Sequence, residues 1–160
     1  SGADKVVINS MFYSNPDEIK KITSKYGIQS VIASIDYKRN KNFDEVYINN
    51  GSKKIEIDLV EHIKRVIDVG VGEILLNSMD QDGTGQGFDL DVINRIGDIK
   101  NTSLIISGGA GRVDHFSEAL ILDYDAASTA NLFNFIGDGL RCSREDLMAK
   151  KINIPVFDRD

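Results

Sequence analysis

One carboxylate directly follows an apolar segment of the sequence. Asp36 comes immediately after residues 31–35, which are apolar except for Ser34. A carboxyl group at the end of a strand can act as a general acid or a general base. A turn or helix-cap residue explains the same position equally well. Asp36 is therefore a candidate catalytic residue, and its position alone leaves both interpretations open.

Other apolar segments end in short polar side chains or glycine. Such groups suit an oxygen-rich ligand, and glycines let backbone N–H groups approach an anion closely. The Gly-rich string at residues 107–111 matches neither the P-loop nor the dinucleotide-binding signature. By itself it is compatible with a phosphate cradle or a simple tight turn. The residues at these segment ends are Asn9 and Ser10, Asn77 and Ser78, Ser107, Gly108 and Gly109, and Ala130 and Asn131.

A second Gly-rich stretch invites comparison with a calcium-binding loop. Asp80, Asp82 and Gly85 fall at the first, third and sixth positions of an EF-hand. Asp91 stands at the twelfth position in place of the longer bidentate Glu, and the preceding segment is predicted to be a strand rather than a helix. The sequence favours a mobile flap around Asp82 and Gly83 that covers a polyhydroxy ligand.

The histidines and the cysteine give no pattern of a metal site or a nucleophile. His62 and His115 lack ligand spacing to a second His or Cys, so both are expected to be solvated or locally hydrogen-bonded. Cys142 stands outside any recognisable nucleophile motif. We therefore predict no metal and no organic cofactor.

Five short β-branched segments must position these residues, and they alternate with stretches of helical spacing. Two of the helices have start signals: Asn15 precedes Pro16 in a helix with Tyr26 on its apolar face, and Asp58 precedes Glu61 in a capping box. The predicted strands are residues 5–8, 30–35, 73–76, 103–106 and 126–130, and weaker helices are predicted at residues 90–96, 114–122 and 143–150.

A hairpin interrupts this alternation. Residues 44–48 and 52–57 alternate polar and apolar around Asn50-Gly51, a pair typical of a type I′ turn. The strand–helix order predicts a parallel sheet covered by helices, either an open doubly wound sheet or a (β/α) barrel. In both folds ligands bind at the C-terminal ends of the strands, where the polar residues lie.

Composition sets the outer limits. The chain has 160 residues, a formal net charge of −6, 41% hydrophobic residues and 28% charged residues, which is typical of one globular domain. The acidic balance argues against a nucleic-acid partner. A single cysteine fits a reducing compartment, and no segment has the length of a membrane helix or a signal peptide. We expect a cytoplasmic protein with no membrane partner, and we expect the abrupt start at Ser1 to be a cut.

Four strings in order along the chain resemble HisF, the cyclase subunit of imidazole glycerol phosphate synthase. They lie at strand ends and extend through nearly the whole sequence. The strings are residues 2–10, residues 35–39, residues 72–84, and residues 107–111 followed by His115-Phe116.

The resemblance implies a (β/α)₈ barrel that takes ammonia from a glutaminase partner. In the family this ammonia is used to cleave and cyclise a bis-phosphorylated ribonucleotide in histidine biosynthesis. Asp36 matches the fifth-strand aspartate, one of two acid/base residues of the family. Asn9 and Ser10 match one phosphate site, in agreement with the polar strand ends above. The other substrate and phosphate positions match Asn77, Asp82, Gly83, Ser107, Gly108, Gly109, Ala130 and Asn131.

The resemblance also implies two features at the opposite mouth of the barrel. Lys5 and Glu73 match a charged gate for ammonia. Asp4 and Gln29 match positions that face the glutaminase. By this alignment residues 1–160 form a partial barrel of strands four to eight, which lacks the first three βα units and the other catalytic aspartate.

Departures from the family pattern leave two alternatives open. Asn77 stands where biosynthetic cyclases usually have Thr, and Asn131 where they usually have Ser. The Leu-Asn-Ser-Met-Asp string at residues 76–80 resembles relatives that amidate sugars for surface polysaccharides or nonulosonic acids. The second alternative is a non-catalytic half-barrel binding module. A partial barrel has open sheet edges, which promote association, so the isolated segment is expected to self-associate and to be inactive alone.

Overall fold

The computed structural model describes residues 2–41, 43–97, 99, 101–122, 124–130, 132–134 and 139–156. Seven strands and six α-helices are found among these residues. The strands are β1 (Val6–Ile8), β2 (Val31–Lys38), β3 (Glu45–Ile48), β4 (Lys53–Asp58), β5 (Glu73–Ser78), β6 (Ser103–Ser107) and β7 (Ala126–Ser128). The helices are α1 (Met11–Ser14), α2 (Pro16–Tyr26), α3 (Leu59–Val69), α4 (Val92–Ile96), α5 (Val113–Ile121) and α6 (Gly139–Ala149).

The strands form one sheet in which the parallel pairs are β1–β2, β2–β5, β5–β6 and β6–β7. Strands β3 and β4 form an antiparallel hairpin. Along one edge of β2, β1 pairs with residues 31–33 and β3 pairs with residues 36–38. Each parallel strand is followed by a helix, giving five βα units. The predicted α/β class is confirmed, and the arrangement is that of a partial (β/α)₈ barrel.

Strand β2 lies at the centre of the sheet and separates the core from the site. Val31, Ala33, Ile35 and Tyr37 are buried, whereas the alternate residues are partly exposed. Burial of each large apolar side chain stabilises the fold by about 1.5–3 kcal/mol. Because successive side chains of a strand point to opposite faces, Ser34 and Asp36 lie together on the face opposite the core.

The two predicted helix starts differ in how their N-termini are capped. Asp58 caps α3 by accepting a hydrogen bond from the Glu61 N–H at 2.8 Å, as the capping box predicts. Asn15 precedes Pro16 as predicted, but its side chain makes no capping hydrogen bond. The expectation that Tyr26 joins the apolar face is wrong, because this residue is 58% exposed at the last position of α2.

Several strand ends differ from the sequence-based expectation. Strand β2 extends to Lys38 because the hairpin pairs with residues 36–38, so Asp36 lies inside the strand and not in a turn. The last strand ends at Ser128, before Ala130. The hairpin loop covers residues 49–52 and has positive φ at Asn49, Asn50 and Gly51, one residue more than a type I′ turn requires.

In the part of the chain that is described, no helix combines the length and the apolar character needed to cross a bilayer.

Candidate functional site

The Asp36 carboxylate is held by two carboxamides from neighbouring strand ends. Asn77 Nδ2 donates to Asp36 Oδ1 at 2.9 Å, and Asn9 Nδ2 donates to Asp36 Oδ2 at 3.2 Å. Hydrogen bonds from these two donors to both oxygens fix the orientation of the carboxylate. The Asp36 side chain is thus held in one position at the end of the sheet where the polar residues lie.

The register of the parallel strands aligns polar residues of four strands side by side. Asp36 pairs with Asn77 across β2 and β5, Asn77 pairs with Ser107 on β6, and Ser107 pairs with Ser128 on β7. Residues at matching positions of parallel strands point to the same face. A row of polar side chains therefore crosses the C-terminal half of the sheet.

A cavity of about 500 Å³ opens beside this row. This volume is within the range of ordinary small-molecule sites. Seven of the predicted binding residues line it: Asn77, Asp82, Gly83, Ser107, Gly108, Gly109 and Ala130. Asn131 lies outside the described residues.

The two Gly-rich loops pack against each other backbone to backbone. Gly87 N–H donates to the Gly109 carbonyl at 2.8 Å. A Cβ on Gly111 would lie 2.2 Å from the Gly85 carbonyl oxygen, and a Cβ on Gly108 would lie 2.6 Å from the Ser78 carbonyl oxygen. Glycine is required here because another backbone occupies the space of a side chain.

His115 contacts the Gly-rich loop that follows β6. It is buried, and its Nδ1 lies 3.1 Å from the Gly111 N–H while its Nε2 lies 2.9 Å from Arg112 Nε. A neutral imidazole has one acceptor nitrogen, so only one of these contacts is a hydrogen bond at a time. The expectation of a locally bonded His115 is confirmed, and the Gly111 N–H faces the protein side.

His62 differs from its expectation. It is 3% exposed in α3, and its Nδ1 has no hydrogen-bond partner among the described residues. Burial, reinforced by the nearby Arg65, lowers its pKa to about 4. The prediction of a solvated or locally bonded side chain is wrong, because the apolar face of α3 includes this position.

The hairpin loop contacts two segments next to the site. The Asn49 N–H donates to Ser10 Oγ at 2.9 Å, and a Cβ on Gly51 would meet the Met79 methyl group at 2.6 Å. The hairpin loop therefore contacts the segments that follow β1 and β5. Asn49 is a residue next to the site that sequence reasoning missed; the turn signal placed it in a hairpin but not beside Ser10.

A buried ionic cluster anchors the base of the hairpin. Arg95 contacts Asp44 at 2.7 Å and Asp89 at 2.6 Å, and both carboxylates are buried. Tyr37, next to Asp36 in β2, donates its hydroxyl to Asp89 at 3.1 Å. Burial, with the charge of Asp89 next, raises the pKa of Tyr37 well above its usual range, so this phenol stays protonated.

The aspartates of the EF-hand-like stretch already have partners. Asp80 accepts a hydrogen bond from the Arg39 backbone N–H at 2.7 Å, and Asp91 pairs with Arg39 at 2.9 Å and Arg95 at 3.2 Å. Asp82 lines the cavity instead. Asp80 and Asp91 therefore bind groups of the protein, whereas Asp82 faces the cavity, and the three carboxylates do not meet at one point.

Four predicted residues lie away from the cavity. Lys5, which directly precedes β1, and Glu73, the first residue of β5, form an ion pair at the N-terminal end of the sheet. Asp4 and Gln29 are exposed, and Gln29 Nε2 donates to the Tyr26 carbonyl at 3.2 Å. The pairing of Lys5 with Glu73 is compatible with a gate, and the roles of all four stay predictions.

Among the polar side chains that line the cavity, sequence reasoning missed those of Ser34 and Thr129. Ser34 lies two residues before Asp36 in an apolar strand, and this spacing could have identified it. Thr129 directly follows β7, which ends two residues earlier than predicted. The sequence-based strand boundary therefore placed Thr129 inside the strand.

A family model described as "Histidine biosynthesis protein" matches residues 1–136. The chain is similar to imidazole glycerol phosphate synthase subunit HisF of Pyrobaculum aerophilum, with 43% identity over 84% of this chain and 53% of the relative. The subunits of Pyrococcus furiosus, 45% identical over 84% of this chain and 53% of the relative, and Exiguobacterium sibiricum, 36% identical over 96% and 62%, are similar too. The chain spans about half the length of the curated relatives it matches.

Proposed function

Since this chain belongs to the histidine biosynthesis protein family, we propose that it forms the last five βα units of a cyclase of the HisF type. Such an enzyme uses ammonia to cleave and cyclise a bis-phosphorylated ribonucleotide in histidine biosynthesis. The observation that carries the proposal is the Asp36 carboxylate, fixed by Asn9 and Asn77 beside the 500 Å³ cavity.

Asp36 is the acid/base residue of the proposed reaction. With both carboxylate oxygens accepting hydrogen bonds, it is oriented to take a proton from the substrate and return it later. The proposed second aspartate belongs to the first strand of the complete barrel. The first three βα units and that aspartate are supplied from outside residues 1–160.

Two places beside Asn77 and Asp36 are the proposed phosphate sites. Gly108 and Gly109 line the cavity with φ of 91° and 101°, a left-handed conformation that glycine adopts readily, and the absence of side chains lets backbone N–H groups approach an anion. The positive end of α5 follows this loop and favours negative charge. Ser107 and Ala130 complete this site, and Asp82 and Gly83 line the same cavity. Asn9 and Ser10, next to Asp36, are the proposed site for the other phosphate.

A glutaminase subunit is the proposed partner and source of ammonia, as the word "subunit" in the relatives' names suggests. It would dock at the N-terminal end of the sheet, where Asp4 and Gln29 are exposed. The Lys5–Glu73 ion pair at the same end is the proposed gate. Cytosol, where ammonia transfer between such subunits takes place, is the proposed compartment.

The test is turnover of the complete protein that carries this chain, given an ammonium salt and the histidine-pathway ribonucleotide. Formation of imidazole glycerol phosphate supports the proposal. Ligand binding without product would favour a sugar-amidating relative, a possibility raised by Asn77 beside Asp36. Absence of both would favour a non-catalytic binding module.

A further inference from the structure

We propose that Ser10 is a positioning residue that connects the hairpin loop to the Asp36 carboxylate by orienting the carboxamide of Asn9. This inference rests on the proposed function in one respect: Asp36 is taken as the reacting group. It adds a role for Ser10 besides contact with a phosphate.

A continuous line of hydrogen bonds supports the proposal. The Asn49 backbone N–H donates to Ser10 Oγ at 2.9 Å, and Ser10 Oγ donates to Asn9 Oδ1 at 3.1 Å. Asn9 Nδ2 then donates to Asp36 Oδ2 at 3.2 Å and to the Ser34 carbonyl at 3.1 Å. Five groups from three separate segments are thereby joined.

The donors and acceptors allow one direction along this line. A backbone N–H can only donate, so Ser10 Oγ accepts from Asn49 and directs its single proton to Asn9 Oδ1. Once Oδ1 is engaged, the amide group of Asn9 must face Asp36. The Ser34 carbonyl, which can only accept, reinforces the same orientation.

The hairpin loop that starts the line is held on both sides. Ser52 N–H donates to the Asn49 carbonyl at 3.2 Å, which closes the turn. Gly51 packs against the Met79 side chain, which follows β5. Asn49 therefore presents its N–H to Ser10 only while the hairpin loop lies over the sheet.

Loss of the Ser10 hydroxyl would remove one of the constraints on Asn9. Asn9 Oδ1 would lose its donor, and the carboxamide would then be held only through Nδ2, by Asp36 Oδ2 and the Ser34 carbonyl. The loss of a hydrogen bond between neutral groups corresponds to a change of up to about tenfold in an equilibrium. The position of the hairpin loop and the orientation of the carboxylate are therefore coupled through one hydroxyl.

The experiment compares Ser10→Ala, Ser10→Thr and Ser14→Ala in the complete protein by ¹⁵N-resolved NMR. Ser14 is the matched control, because its hydroxyl is exposed and, among the described residues, donates to the Ser10 carbonyl alone. We expect Ser10→Ala to shift the Asn9 side-chain amide signals and to speed exchange of the Asn49 N–H about tenfold. Ser10→Thr should restore both readouts, and Ser14→Ala should match the wild type.

Unchanged Asn9 and Asn49 signals in Ser10→Ala would overturn the proposal, as would failure of Ser10→Thr to restore them. These signals need no turnover, so they separate this proposal from the proposed function. Where turnover is measured, Ser10→Ala should lower kcat about tenfold, whereas a higher KM at unchanged kcat would mean that Ser10 only binds substrate.

Discussion

Gly87 and Gly109 meet backbone to backbone at the mouth of the cavity: a Cβ on Gly109 would lie 2.1 Å from the Gly87 carbonyl oxygen. The Gly87 N–H also donates to the Gly109 carbonyl at 2.8 Å. The loops that follow β5 and β6 are thus joined at one point. Correct folding of the proposed phosphate site depends on this contact.

Gly109→Ala should therefore destabilise the protein more than a substitution that only strains φ. Gly97 is the control, because its φ of 74° is also positive and nothing lies within 4 Å of its added Cβ. Urea unfolding should show a loss of about 1 kcal/mol for Gly97→Ala and about 3 kcal/mol or more for Gly109→Ala. Equal losses would mean that the loops do not pack as described.

His62 makes stability depend on pH. Its pKa of about 4 in the folded protein lies below the unfolded value of 6.5, so the unfolded chain binds more protons between these values. Stability is present above pH 6.5 and is lost as pH falls toward 4. The loss between pH 7 and pH 5 should be about 2 kcal/mol in urea unfolding.

His62→Leu should remove this part of the pH dependence, because leucine does not titrate. The difference in unfolding free energy between pH 7 and pH 5 should shrink by about 2 kcal/mol relative to the wild type. His115→Gln serves as a comparison at the other buried histidine. An unchanged pH dependence in His62→Leu would show that His62 is not the group responsible.

Arg95 should be more important for stability than an arginine of a surface pair. Arg95→Met leaves the buried carboxylates of Asp44 and Asp89 without their common cation, which costs about 3–5 kcal/mol. Arg65→Met removes an exposed pair with Glu61 and should cost less than about 0.5 kcal/mol. Similar melting temperatures for the two variants would contradict a structural role for the cluster.

Open strand edges should make the isolated 160-residue chain self-associate. Strand β1 pairs only with β2 among the described residues, and Val7 on it is 59% exposed. Val7→Lys should lower the molar mass measured by light scattering, because charge on an edge strand opposes pairing. Val156→Lys, a change at an exposed residue outside the sheet, should not. A monomeric wild-type chain would contradict this expectation.

The alternation of strands and helices, the Asp58 cap and the hairpin could be predicted from local patterns. The position of Asp36 inside β2 could not, because the end of that strand is set by pairing with residues 45–47 of the hairpin at one edge and with residues 77–78 of β5 at the other. Local sequence shows a hairpin but not which edge it joins. The same reason explains why Asn49 was missed next to the site.

The buried state of His62 was hidden by its residue type. Histidine is common on surfaces, and only the packing of α3 against the sheet shows that this side chain is enclosed. The cluster of Arg95 with Asp44 and Asp89 was missed for a similar reason. These residues are up to 51 positions apart in the sequence and meet only in the folded chain.

The most direct test of the account is ammonia-dependent turnover of Asp36→Asn in the complete protein, beside Asp17→Asn, a change at an exposed residue of α2. Asparagine keeps the shape of Asp36 but cannot transfer the proton. We predict a loss of turnover of about 10²–10⁴-fold for Asp36→Asn, with binding of the phosphorylated substrate retained, and no loss for Asp17→Asn. Turnover of Asp36→Asn within twofold of the wild type would contradict the assignment of Asp36 as the acid/base residue.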